Sequence, residues 1–136
     1  MASLRPAVFA LNENQISRDI VECAIEVHRT LGGPGLLEGV YEEALVWELK
    51  QRGLAVNRQV RLPIPYKGQK LASPLRIDLI VGGKVIVECK AVMAYNRIFE
   101  AQILTYLRLT SRKLGMVVNF GERVVKDGIH RVVNGL

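Results

Sequence analysis

The sequence predicts an α/β fold, a mixed central sheet flanked by helices in the order α-α-β-β-β-α-β-β. Three observations carry this reading. Near the start, apolar residues recur at steps of three or four, which is a helical period. The period then drops to two, and two runs in the middle are apolar on nearly every residue, as in strands buried on both faces. A further helical stretch and two more strand-like runs follow. Helices on either side of a strand cluster suit a sheet covered on both faces.

Residues 1–13 read as an irregular arm and residues 14–136 as one domain. From Asn14, the residues Ile16, Ile20, Ala24, Val27 and Leu31 form one helical stripe. Gly32-Gly33-Pro34-Gly35 ends that helix. A second helix is expected over Leu36 to Gln51, with Leu37, Tyr41, Ala44, Leu45 and Leu49 along one side and Gly53 just past its end. Trp47 is expected in the core. Leu54 to Leu62 reads as a strand. Pro63-Ile64-Pro65-Tyr66 should be extended and near an edge, because two prolines cannot donate to a ladder. Lys67-Gly68 reads as a turn and Pro74 as a break.

Leu75 to Val81 and Lys84 to Val92 are the two strongest strand runs, and Gly82-Gly83 between them makes a hairpin. Ile77, Leu79 and Val81 are expected on one side, with Ile80 and Ile86 on the other. A third helix should span Asn96 to Thr110. Gly115 to Phe120 reads as a buried strand and Ile129 to Val133 as an exposed last one.

Composition excludes several classes. At 136 residues the chain fits one domain, and 49% hydrophobic with 24% charged residues is ordinary for a folded protein. The arm is too short and broken in its apolar run for a signal peptide. No stretch approaches the roughly 20 apolar residues of a membrane span. Cys23 and Cys89 make no disulfide framework, and His28 and His130 give no zinc spacing. These features place the chain in the cytoplasm. A net charge of +6 favours an anionic partner, and nucleic acid is the commonest. Only 6% aromatic residues argues against a dedicated single-strand stacking platform.

The informative residues are charges inside strands that otherwise read as core. Asp78 lies in Leu75–Val81, and Glu88 and Lys90 lie in Val85–Val92. Such residues are rarely buried unless paired or bound to a metal. Glu88 and Lys90 share a face by alternation. Asp78 meets them only if it stands opposite Glu88 across the hairpin. That register pairs Ile80 with Ile86 and Val81 with Val85, and leaves the loop Gly82-Gly83-Lys84. Two converging carboxylates repel unless a cation sits between them, and oxygen ligands favour magnesium or manganese. A lysine beside such a pair suits phosphodiester hydrolysis. A buried structural ion pair, Asp78–Lys90 or Glu88–Lys90, accounts for the spacing equally well.

Asp78 followed by Glu88-Cys89-Lys90 resembles the Asp…Glu-x-Lys signature of the PD-(D/E)XK nuclease superfamily. Gly35-Leu36-Leu37-Glu38-Gly39-Val40-Tyr41 is similar to the name-giving motif of that superfamily's GxxExxY family. Gln102 to Tyr106 resembles the Q-x-x-x-Y helix motif of RecB-like exonuclease domains. Ala24–Arg29, Tyr66-Lys67-Gly68 and Asn119-Phe120-Gly121 add to the likeness, which runs from about Ile16 to Val133.

The resemblance implies a restriction-endonuclease-like fold and a metal-dependent nuclease acting on DNA with Mg2+ or Mn2+. It makes Asp78, Glu88, Glu38 and the backbone carbonyl of Cys89 metal ligands, and Lys90 the catalytic lysine. Gln102 and Tyr106 would complete the catalytic set by placing phosphate or orienting Lys90. Tyr41 and His28 are further candidates to line the site. Each has a plainer reading: Glu38 as a first-turn helix acid, Gln102 as a surface amide, and Tyr41, Tyr106 and His28 as satisfied packing residues. His130 reads as solvated.

One departure is Phe99, which stands where the family tends to carry a histidine. Arg58, Arg61, Lys67, Lys70, Arg97, Arg108, Arg112 and Lys113 are candidate phosphate contacts, each with a solvated alternative. So small a chain has little room for a recognition domain, so specificity is expected from a homodimer or another protein. A nucleic-acid-binding or interaction module that keeps the fold without turnover stays open as a second reading.

Overall fold

The computed structural model describes residues 11–136, so most of the arm expected over 1–13 lies outside the described residues. Helix α1 spans Glu13–Thr30. Asn12 starts it with a capping box: its Oδ1 accepts from the Gln15 N–H at 2.8 Å, and its own N–H donates to Gln15 Oε1 at 2.9 Å. The stripe Ile16, Ile20, Ala24 and Val27 is buried as expected. The Gly33 N–H donates to the His28 carbonyl at 2.8 Å and ends the helix.

Helix α2 spans Glu38–Gln51. Its end is a Schellman turn in which Gly53 has φ 81° and the Leu54 N–H reaches the Leu49 carbonyl at 3.2 Å. Tyr41, Leu45 and Leu49 face the core. Trp47 does not; it is 59% exposed, and the expectation that it is core is corrected. Helix α2 is apolar on two sides, and Trp47 lies on the one turned away from the core.

Seven strands follow: β1 Val56–Leu62, β2 Pro65–Tyr66, β3 Gln69–Lys70, β4 Leu75–Val81, β5 Val85–Lys90, β6 Leu114–Asn119 and β7 Ile129–Val133. Helix α3, Ile98–Thr110, lies between β5 and β6. The main sheet has the order β1-β4-β5-β6-β7, with β5 and β6 parallel and the other neighbours antiparallel. This is a mixed α/β architecture with a five-stranded sheet flanked by helices. The small β2–β3 hairpin is an addition to the expected order. Its two-residue turn puts Lys67 at φ 48° and Gly68 at φ 79°, the positive values that a tight hairpin turn uses.

Helices α1 and α2 cover one face, where Leu79, Val81, Val87, Cys89, Met116 and Val118 join their core. Helix α3 covers the other, with Ile80, Ile86, Ile103, Leu107 and Val117. The central position of β5 explains its burial on both faces. The β4–β5 register is Val81 to Val85 and Ile80 to Ile86, as the alternation requires.

One expectation about β4 is corrected. Ile77 packs with Ile80 and Ile86 on the α3 side, while Leu79 stays on the α1–α2 side. The alternation slips by one residue at Asp78. Strand β1 slips at the matching point: Arg58 pairs with Leu79 and Val60 with Ile77, but Gln59 and Asp78 form no ladder pair. Gln59 has φ 54°, a left-handed conformation uncommon outside glycine. Both strands therefore kink together, and the kink is where the charged residues gather.

Candidate active site

Ladder pairing between β4 and β5 stops at Leu79–Val87. Beyond it, side chains replace the backbone bonds. The Cys89 N–H donates to Asp78 Oδ2 at 2.9 Å, and the Asp78 N–H donates to Glu88 Oε2 at 3.0 Å. Asp78 and Glu88 therefore converge where the hairpin opens, the arrangement that the three-residue loop requires.

Electrostatics follow from this contact. Burial pushes the Glu88 carboxyl well above the usual carboxylate range, and the neighbouring Asp78 carboxyl adds to the shift. Its backbone bond from Asp78 and the charge of Lys90 pull the other way. Two carboxyls brought this close repel each other when both are charged, and a divalent ion between them relieves that repulsion.

A third carboxylate joins them. Glu42, one helical turn after Glu38 on α2, is buried, with only 4% of its surface exposed. Gln59 Nε2 donates to both its oxygens at 3.0 Å, and Arg58 Nε donates to Oε2 at 2.6 Å. The same Gln59 amide is 3.5 Å from Asp78 Oδ1. Carboxylate oxygens of Glu42 and Asp78 and the Sγ of Cys89 lie within 4.8 Å of one another. Opposite ligands of one magnesium-sized ion stand about 4 Å apart, so small movements suffice.

The donor chemistry also fits. The carboxylates of Asp78, Glu88 and Glu42 are hard oxygen donors. The Cys89 thiol is not a suitable one: burial, then the surrounding carboxylates, raises it well above its ordinary value and keeps it neutral. Its backbone is better placed. The Cys89 N–H points towards Asp78, and in a strand the carbonyl of the same residue points the same way.

The other expected residues divide into two groups. Lys90 is half-buried, with Nζ 4.6 Å from the centre of the Phe99 ring. Tyr106 is buried on α3, and its hydroxyl is raised by burial and then by the charges of Glu88 and Asp78. Glu38 is exposed as a residue, yet partial burial of its carboxyl raises it, Lys90 lowers it, and Asp78 and Glu42 raise it further. It stands at the rim of the cluster while Glu42 occupies the interior.

Gln102 is exposed on α3. Tyr41 turns away: its hydroxyl donates to the Gly33 carbonyl at 2.7 Å, accepts from the Leu36 N–H at 3.1 Å, and its ring stacks on Phe120 at 4.7 Å. It fastens the loop before α2. His28 is buried with its Nε2 bonded to the Glu122 carbonyl at 2.9 Å, the satisfied packing role. His130, read as solvated, instead stacks on Tyr95 at 3.9 Å. Arg58 is committed to Glu42 rather than free for phosphate.

Sequence reasoning missed Glu42 and Gln59. Spacing held a signal for the first, since residues 38 and 42 share a helix face. Nothing in Arg58-Gln59-Val60 marks the second.

A family model described as the PD-(D/E)XK nuclease superfamily matches residues 14–132. The chain belongs to that superfamily, and its five-stranded sheet flanked by helices is consistent with a restriction-endonuclease-like fold. Nucleases of the superfamily use divalent metals. Neither the curated proteins nor the solved structures compared gave a match. Among the described residues, no helix is long and apolar enough to cross a membrane.

Proposed function

We propose that the chain is a divalent-metal-dependent nuclease that hydrolyses phosphodiester bonds in DNA, with Mg2+ or Mn2+ held by Asp78, Glu88 and the Cys89 carbonyl. The observation that carries this reading is the convergence of Asp78 and Glu88 where the β4–β5 pairing ends, each carboxylate accepting from a backbone N–H of the opposite strand. A structural ion pair would instead join one of them to Lys90, and that ammonium lies over the Phe99 ring. The motif around Glu38 and Tyr41 supports placing the chain in the GxxExxY family. Glu38 at the rim then serves as an outer acid.

A bound divalent ion supplies charge that offsets the developing phosphate negative charge and lowers the pKa of a nearby water. The residues of the chain do the rest. Lys90 presents a positive, hydrogen-bonding group on the same strand, two residues beyond Glu88. It can orient the attacking water or a non-bridging oxygen. Tyr106 closes the α3 side, and exposed Gln102, one turn earlier, is free to meet substrate. The net charge of +6 favours approach of a polyanion.

The test is incubation of plasmid and oligonucleotide DNA with manganese, comparing wild type with Lys90→Ala. The expected result is cleavage by wild type and a loss of at least about a hundredfold in the variant, the usual size of an electrostatic catalytic contribution. Equal cleavage by both proteins would mark the activity as contamination.

A further inference from the structure

Gln59 is a singular residue in this fold. It is a non-glycine at φ 54°, it interrupts the β1–β4 ladder opposite Asp78, and its amide bridges two carboxylates. The left-handed backbone swings its side chain over the cluster instead of leaving it in the alternation of β1. There the amide nitrogen is 3.0 Å from each Glu42 oxygen and 3.5 Å from Asp78 Oδ1.

Glu42 is buried while Gln59 itself is exposed, so the amide lies between the carboxylate and water. Both Glu42 oxygens are taken by this one donor, and Oε2 also by Arg58. An ion shared by Glu42 and Asp78, with its coordinated water, needs the space that the amide fills. An amide is a neutral donor and offsets no charge, so it is a weaker partner for two carboxylates than a divalent cation.

We infer that Gln59 is a removable cap on the metal site: its amide holds Glu42 and Asp78 together in the absence of the ion and must swing out before Glu42 can serve as a further ligand. This rests on the metal site proposed above. Gln59 is then a positioning residue that weakens metal binding, and Glu42 is the ligand that its departure releases. The exposure of its side chain leaves it room to move.

Gln59→Gly tests this without endangering the kink, because glycine adopts a positive φ freely. Mn2+ is titrated calorimetrically into the whole chain at fixed pH, for wild type, Gln59→Gly, Glu42→Gln and the double variant. Cooperative thermal unfolding shows that each is folded. The cap account expects Gln59→Gly to bind Mn2+ about tenfold more tightly than wild type, the size of one hydrogen bond to a charged group. It expects the gain to vanish in the Glu42→Gln background. Binding that is unchanged or weaker in Gln59→Gly, with wild type binding normally, overturns the cap and leaves the metal site standing. Absence of Mn2+ binding to both folded wild type and Gln59→Gly overturns the metal site and the cap together.

Discussion

Single side chains set the chemistry here because burial fixes which of them can carry charge. Cys23 illustrates the effect outside the site. Burial pushes its thiol up to about 11, with nearby Arg52 opposing. Its folded value lies above the unfolded one of about 8.5, so the thiol's contribution to stability is complete below that pH and is lost as pH rises through 11. Urea unfolding of wild type and Cys23→Ala at pH 8 and pH 11 checks this. Wild type should lose roughly 3 kcal/mol more than the variant between the two values. Parallel losses would mean that the thiol is not buried as described. At this scale the sequence was informative wherever a charge interrupted an apolar run: Asp78, Glu88 and Lys90 stand out for that reason. It was silent on Gln59, because a left-handed backbone at a non-glycine residue is imposed by the neighbouring strands and not by local propensity. It misled on Trp47, because in a helix apolar on two sides the pattern does not say which side is the core.

Among the elements, β5 and β6 and the segments that leave them hold Lys90 in place. Asn119, at the end of β6, is fully buried and clamps the chain just after Lys90. Its Oδ1 accepts from the Val92 and Gly121 N–H groups, and its Nδ2 donates to the Val92 carbonyl, each at 3.0 Å. Gly121 completes the clamp by close approach: a Cβ there would sit 2.3 Å from the Val92 carbonyl oxygen and 2.6 Å from its nitrogen. Asn119→Ala should cost roughly 2–4 kcal/mol, since three backbone groups lose their partner. Gly121→Ala should cost roughly 3 kcal/mol, since backbone cannot yield as a side chain can. Shifts in the urea midpoint measure both, and a change under about 0.5 kcal/mol in either would refute the clamp. The hairpin register was legible because two glycines and strict alternation left one solution that brings Asp78 to Glu88. The slip at Asp78 was not legible. It arises from β1 and β4 kinking together, a pairing between segments distant in sequence.

Across the whole molecule, the sheet brings α2, β4 and β5 to one end and leaves three carboxyls at the point where ladder hydrogen bonds give out. The α/β order and the central place of β4 and β5 were readable from their two-sided burial. The identity of the third carboxylate was not, because Glu38 and Glu42 lie on the same helix face and only packing decides which goes inside. The central claim is that the folded chain holds a divalent ion between Asp78 and Glu88. Its most direct test is thermal unfolding with and without saturating Mn2+, for wild type, Asp78→Ala and Glu88→Ala. An ion at about a hundred times its dissociation constant stabilises by about 2.7 kcal/mol, a rise of roughly 8 °C for a domain of this size. The account predicts that rise in wild type and its loss in both variants. A wild type that melts at the same temperature with and without the ion, or variants that keep the full rise, would contradict it.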